Sequence, residues 1–147
     1  MSKPGFLKIL LVEDNEGDIL LTREALGDAD TRDALAVARD GEQALAYLDQ
    51  QAGGNDSMLP DIILLDINLP RMDGKELLAT IKSHPMYCHI PVLMLTTSSS
   101  GRDVYESYAA HANCYITKPV DFERFVEVIR SIEHYWTQIA QLPTREL

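Results

Sequence analysis

The amino-acid sequence predicts an α/β fold with a parallel sheet between helices, and three observations carry that expectation. Short apolar runs recur at residues 8–12, 35–38, 61–65, 92–95 and 114–116. Each run is followed by a stretch with apolar residues at helical spacing. The run Ile62-Ile63-Leu64-Leu65 has no polar interruption, as a strand covered on both faces requires. Strict alternation of this kind argues for parallel strands joined by right-handed crossovers.

The elements follow in order. Ile9 to Val12 forms the first strand and ends in Glu13-Asp14. Asn15 is a good N-cap for a helix over 15–26 with Ile19, Leu20, Thr22, Arg23 and Leu26 at helical spacing, and Gly27 stops it. Residues 35–38 make a weak second strand. Asp40-Gly41 turns into a helix over 42–50 with Ala44, Leu45 and Leu48 inward. Gly53, Gly54, Asn55 and Pro60 mark 51–60 as a loop. The third strand ends at Asp66. Pro70 and Asp73-Gly74 turn the chain into a helix over 74–84, with Leu77, Leu78 and Ile81 on one side. Pro85 and Pro91 bracket a connection. The fourth run ends in Thr96-Thr97, Ser98 to Gly101 turns, and a helix over 102–112 carries Val104, Tyr105 and Tyr108. Cys114, Tyr115 and Ile116 form the fifth strand, ending in Thr117-Lys118-Pro119. Asp121 caps a long last helix reaching about residue 141.

The chain of 147 residues has the size of one domain, with a core over about 7–133 and a helical extension and tail over 134–147. A formal net charge of −10 argues against a nucleic-acid partner. No apolar run nears the ~20 residues of a membrane span. Residues 1–6 lack a signal-peptide core, so a cytoplasmic setting is expected. Cys88 and Cys114 form no Cys-x-x-Cys pair, and His84, His89, His111 and His134 share no metal spacing. Two buried, reduced thiols are expected, with His84 and His89 exposed beside a loop.

In a parallel sheet every strand ends along one edge, where open α/β folds place their sites. The first run delivers Glu13 and Asp14 there, the third Asp66, the fourth Thr96 and the fifth Lys118. One carboxylate could be a cap or a turn residue. Three acids, a hydroxyl and an amine from four strands are not explained that way. Three carboxylates repel one another and draw a cation. Their hard oxygens suit Mg²⁺ or Mn²⁺ completed by water, with Ca²⁺ a further hard ion. A divalent cation, an ammonium and a hydroxyl together suit phosphoryl oxygens. A carboxylate can itself be the nucleophile and become an aspartyl phosphate, and Asp66 ends the strand expected at the centre.

At these residues the chain resembles the receiver domains of two-component response regulators. Leu10-Leu11-Val12-Glu13-Asp14-Asn15 resembles the family's first strand and acidic pair. Leu64-Leu65-Asp66-Ile67-Asn68-Leu69-Pro70-Arg71-Met72-Asp73-Gly74 resembles its phosphoacceptor motif. Thr96, Lys118 and Pro119 stand at intervals similar to the family's. The resemblance covers about 7–133 and implies a flavodoxin-like (βα)5 three-layer sandwich, sheet order 2-1-3-4-5, with an extended C-terminal helix. It implies that Asp66 accepts phosphate, that Asp14 binds Mg²⁺ directly and Glu13 through water, and that Asn68 adds its backbone carbonyl. It implies that Lys118 pairs with the phosphoryl group, and that Thr96 moves toward that group with Tyr115 following as a switch. Glu13 departs from the commoner Asp, and Thr97 stands where a smaller residue is usual. Such a protein catalyses its own phosphorylation and dephosphorylation only.

Other readings fit less well. A haloacid-dehalogenase-type phosphatase needs a second Asp where Asn68 stands. A flavodoxin phosphate loop would not begin with Glu13-Asp14, and Gly74-Lys75-Glu76 lacks the Walker spacing. The non-catalytic rival is a degenerate receiver serving as an unphosphorylated interaction scaffold, but all five site residues are present. The segments Tyr108–Tyr115 and 132–136 are similar to stand-alone regulators that serve bacterial and cyanobacterial phytochromes. That likeness implies a sensor histidine kinase partner, a phytochrome among the candidates. Few residues follow Glu133, so output through protein contact is expected. Phe125, Val126, Ile129, Ile132, Trp136 and Ile139 form one apolar stripe. Its far end, Tyr135, Trp136 and Ile139, is expected to overhang the core. This predicts a homodimer through the helix at 102–112, the fifth strand and the last helix.

Overall fold

The computed structural model describes residues 6–54 and 59–143. Part of the loop expected at 51–60, the first five residues and the last four residues of the tail lie outside the described residues. Five parallel strands, β1 (Ile9–Val12), β2 (Ala36–Ala38), β3 (Ile62–Leu65), β4 (Val92–Thr96) and β5 (Cys114–Thr117), form one sheet in the order β2-β1-β3-β4-β5. The helices are α1 (Glu16–Ala25), α2 (Ala29–Asp33), α3 (Gly41–Ala52), α4 (Gly74–Ser83), α5 (Gly101–Ala109) and α6 (Phe122–His134). The flavodoxin-like three-layer architecture is as expected.

The layers follow from strand alternation. Leu10, Val12, Ile63, Leu65, Val92 and Met94 face α3 and α4 in one core cluster. Ile9, Leu11, Ile62, Leu64, Leu93 and Leu95 face α1 and α6 in the other. Successive strand residues point to opposite faces, so unbroken apolar runs feed both cores. Asn15, Asp40, Asp73, Ser100 and Asp121 each accept the amide three residues on, which starts five of the helices where the sequence places them.

Four points of the sequence reading are corrected. Helix α2 has no counterpart in the sequence reading; it is one short turn capped by Asp28, whose carboxylate accepts from Thr31 N. The last helix ends as an α-helix at His134 and continues only as a π-helical turn, Tyr135–Ile139, before extended backbone at Ala140. Trp136 therefore packs against the α1–α6 core instead of overhanging it, while Tyr135 and Ile139 remain exposed. Cys88 is exposed and Cys114 half-buried, both free. In the connection after α4 the inward place goes to Tyr87, which His84 stacks against, so His84 is half-buried while His89 is exposed.

Candidate functional site

The sheet order brings the ends of β1 and β3 side by side, with β4 and β5 next. Backbone bonds carry the ladder one residue past the strands. Glu13 N donates to Ala38 O, Asp66 N to Val12 O and Lys118 N to Thr96 O. Glu13, Asp66 and Lys118 are thus held by sheet geometry.

Their side chains converge. The Lys118 ammonium lies 2.6 Å from Glu13 Oε1, 2.8 Å from Asp18 Oδ2 and 3.2 Å from Asp66 Oδ2. Glu13, Asp66 and Lys118 are all buried. Burial pushes the Glu13 carboxyl up to about 7, against the opposing pull of Lys118. Burial alone would lower the Lys118 ammonium, but bonds to Asp18 and Glu13 raise it, so it stays charged. The other oxygen of Glu13 accepts from Asn15 N, and Asp66 Oδ1 accepts from Asn68 N at 3.3 Å.

Asp14 and Asn68 are exposed at the mouth of this cluster. Among the described residues no three His, Cys, Asp or Glu side chains are arranged to hold a metal ion. The Lys118 ammonium is the positive charge that the carboxylates share here. Thr96 is buried, and its hydroxyl accepts from Ser98 N at 3.4 Å. The Tyr115 hydroxyl donates to Ser98 O at 2.9 Å. Ser98 Oγ in turn bonds Asp103, whose carboxylate pairs with Lys75 at the start of α4.

A family model for the response regulator receiver domain matches residues 9–130. The chain belongs to the response regulator receiver family. It is 43% identical over 135 residues to response regulator Rcp1 of Synechocystis sp., covering 92% of each chain. It superposes on the phosphorylated cyanobacterial phytochrome response regulator RcpA with a TM-score of 0.86 at 44% identity, covering 95% of this chain and 99% of the other. The Mn²⁺-bound form of Rcp1 matches with a TM-score of 0.81 at 41% identity, covering 92% and 98%.

As a receiver domain, the chain gathers Glu13, Asp66 and Lys118 into one cluster. Asp14 and Asn68 stand at its mouth, while Thr96 and Tyr115 both engage the Ser98 loop. Two features were not read from the sequence. Asp18 supplies the third carboxylate on Lys118; an acid in a first helical turn reads equally well as a response to the helix dipole, which hid it. Gly74 packs so tightly on the loop after β3 that a Cβ there would lie 2.0 Å from Asp66 O. No helix among the described residues is long and apolar enough to cross a membrane.

Proposed function

We propose that the chain takes a phosphoryl group from a sensor histidine kinase onto Asp66, in a Mg²⁺-dependent reaction in the cytoplasm, and signals by protein contact. The observation that carries this reading is the Lys118 ammonium, held 3.2 Å from an Asp66 carboxylate oxygen at the end of the central strand. An Asp66 oxygen attacks phosphorus of the kinase's phosphohistidine. The P–N bond breaks and its electron pair stays on the imidazole nitrogen. The ring's other nitrogen already carries a proton, so imidazole leaves neutral and Asp66 becomes the acyl phosphate. Lys118 provides fixed positive charge for the phosphoryl oxygens, and Thr96 a hydroxyl that they can recruit. Tyr115, tied to the same loop through Ser98, is the proposed switch that follows Thr96.

The donor set fits a hard divalent cation. Glu13, Asp14 and Asp66 offer carboxylate oxygens, Asn68 a backbone carbonyl, and one ammonium offsets only part of the negative charge. When bound, Mg²⁺ adds charge for the phosphoryl oxygens. The Mn²⁺ form of Rcp1 supports this assignment, and the phosphorylated state of RcpA supports the acyl phosphate. The phytochrome link of RcpA supports a phytochrome as the kinase. The chain acts on itself alone, and a homodimer is its proposed output form.

The test is phosphorylation by acetyl phosphate with Mg²⁺, read by intact mass. The wild type is expected to gain one phosphoryl group and Asp66→Asn none. Equal uptake by the variant would refute the assignment.

A further inference from the structure

Lys118 has three N–H bonds to give, and three carboxylates take them: Glu13, Asp18 and Asp66. A phosphoryl group on Asp66 takes over the donor now given to that carboxylate and brings further oxygens, so a second Lys118 donor is drawn from Glu13 or Asp18. The two differ in what release costs. The Glu13 and Asp66 side chains are 3% and 8% exposed, and that of Asp18 is 31% exposed. A freed Glu13 would keep its bond from Asn15 N but leave its other oxygen buried without a donor, whereas a freed Asp18 turns to water. Asp18 also sits outside the sheet framework, on the first turn of α1, and its carboxylate has no other hydrogen-bond donor among the described residues.

We infer that Asp18 is a positioning residue that holds Lys118 back from the phosphoryl position, so that phosphorylation proceeds with exchange of the Lys118–Asp18 bond for a Lys118–phosphoryl bond. The inference rests on Asp66 being the phosphoacceptor. In the exchange one N–H···O bond breaks, one forms, and water takes up the freed carboxylate. Asp18 thereby sets how strongly the site binds a phosphoryl group without itself touching that group.

The experiment is calorimetric titration of beryllofluoride, a phosphoryl mimic, with Mg²⁺ present. Asp18→Asn keeps the size of the side chain and removes its charge. It is expected to tighten binding about three- to tenfold, the size of a partly exposed charge-assisted contact. Asp18→Ser is expected to act in the same direction. Glu16→Gln is the control: Glu16 is on the same helical turn, is exposed and pairs with Arg39 rather than Lys118. It removes the same charge and is expected to change binding much less. In a Lys118→Ala background Asp18→Asn is expected to do no more than Glu16→Gln, a coupling that a purely structural role would not produce. Equal effects of Asp18→Asn and Glu16→Gln in the parent chain would reduce Asp18 to general repulsion and overturn the inference. Weaker binding by Asp18→Asn would mean that Asp18 aims Lys118 at the phosphoryl group, and would overturn it too. Binding that survives Asp66→Asn unchanged removes the phosphoacceptor reading, and this inference falls with it.

Discussion

Tyr87 illustrates how one side chain ties the connection after α4 to the rest of the fold. It is almost fully buried in the α3–α4 core, its ring stacks on His84, and its hydroxyl donates to Asp49 of α3. Burial and the Asp49 carboxylate push the phenol up to about 12. In the unfolded chain a tyrosine ionises near 10. Between those values the unfolded chain gives up the proton and the folded chain keeps it. The folded state then binds more protons, so stability falls as pH rises through that window. Below pH 10 the contribution is constant. Tyr87→Phe is expected to cost about 1 kcal/mol near pH 8, the worth of one hydrogen bond. Urea unfolding from pH 8 to 12 should show the gap between wild type and variant narrowing as pH rises. A gap that stays constant would mean that the hydroxyl is not held in this way. At the same scale Asp66 and Lys118 were legible because each ends an apolar run. Asp18 was not, because its partner is set by the α1–β5 approach and no local pattern encodes that distance.

At the scale of elements, the loop from β3 to α4 decides where the Asp66 backbone lies. Arg71 takes a left-handed conformation at φ 66° and reaches Asp40 with Nη1 at 2.6 Å, joining this loop to the N-cap of α3. Gly74 N donates to Ile67 O, and Gly74 lets the first turn of α4 touch the Asp66 carbonyl. A Cβ at 2.0 Å from a backbone oxygen cannot be accommodated by rotating a side chain. Gly74→Ala must therefore push α4 off β3. We expect a loss of about 1–3 kcal/mol, the range of overpacking in a packed core, and a weaker response to beryllofluoride because Asp66 shifts. Thermal unfolding and calorimetry check the two parts; a variant with wild-type stability would show that the loop yields freely. The capped helices and the strand order were readable because caps and unbroken apolar runs are local signals, with the order supplied by family likeness. Helix α2 was not, since five residues, Ala-Asp-Thr-Arg-Asp, show no apolar period. Its burial comes through Thr31, whose hydroxyl accepts from Leu7 N. The end of the last helix was misjudged for a similar reason. An apolar stripe continues through Ile139, but the wider π turn changes which residue faces the core.

At the scale of the molecule, the unresolved demand is the face formed by β5 and α6. Phe125, Ile129 and Ile132 are buried against the sheet, which accounts for the first half of the helix. Beyond them a cleft of about 750 Å³ opens beside the edge strand, lined by Leu93, Ile116, Val128, Ile132, Tyr135 and Trp136. Tyr135 is 48% and Ile139 62% exposed, and on the other side of β5 Tyr105 of α5 is 74% exposed. Apolar surface of this kind on a chain of net charge −10 is proposed as a contact face, which a two-fold pairing with its own copy would bury. The charge opposes pairing at low ionic strength and is screened within about 8 Å at physiological salt. The face also adjoins the site, because Tyr115 of β5 holds Ser98 in the loop after Thr96. A phosphoryl group that draws Thr96 would disturb that bond and so alter the pairing. Trp136 is the wrong residue to remove, since it packs on the core. Tyr135→Ala with Ile139→Ala takes away exposed anchors alone. Light scattering at high micromolar concentration should find a wild-type dimer whose fraction rises with salt and responds to beryllofluoride. The double variant should be a monomer with little change in melting temperature. A wild type that is monomeric with and without the mimic would leave the face to the kinase instead.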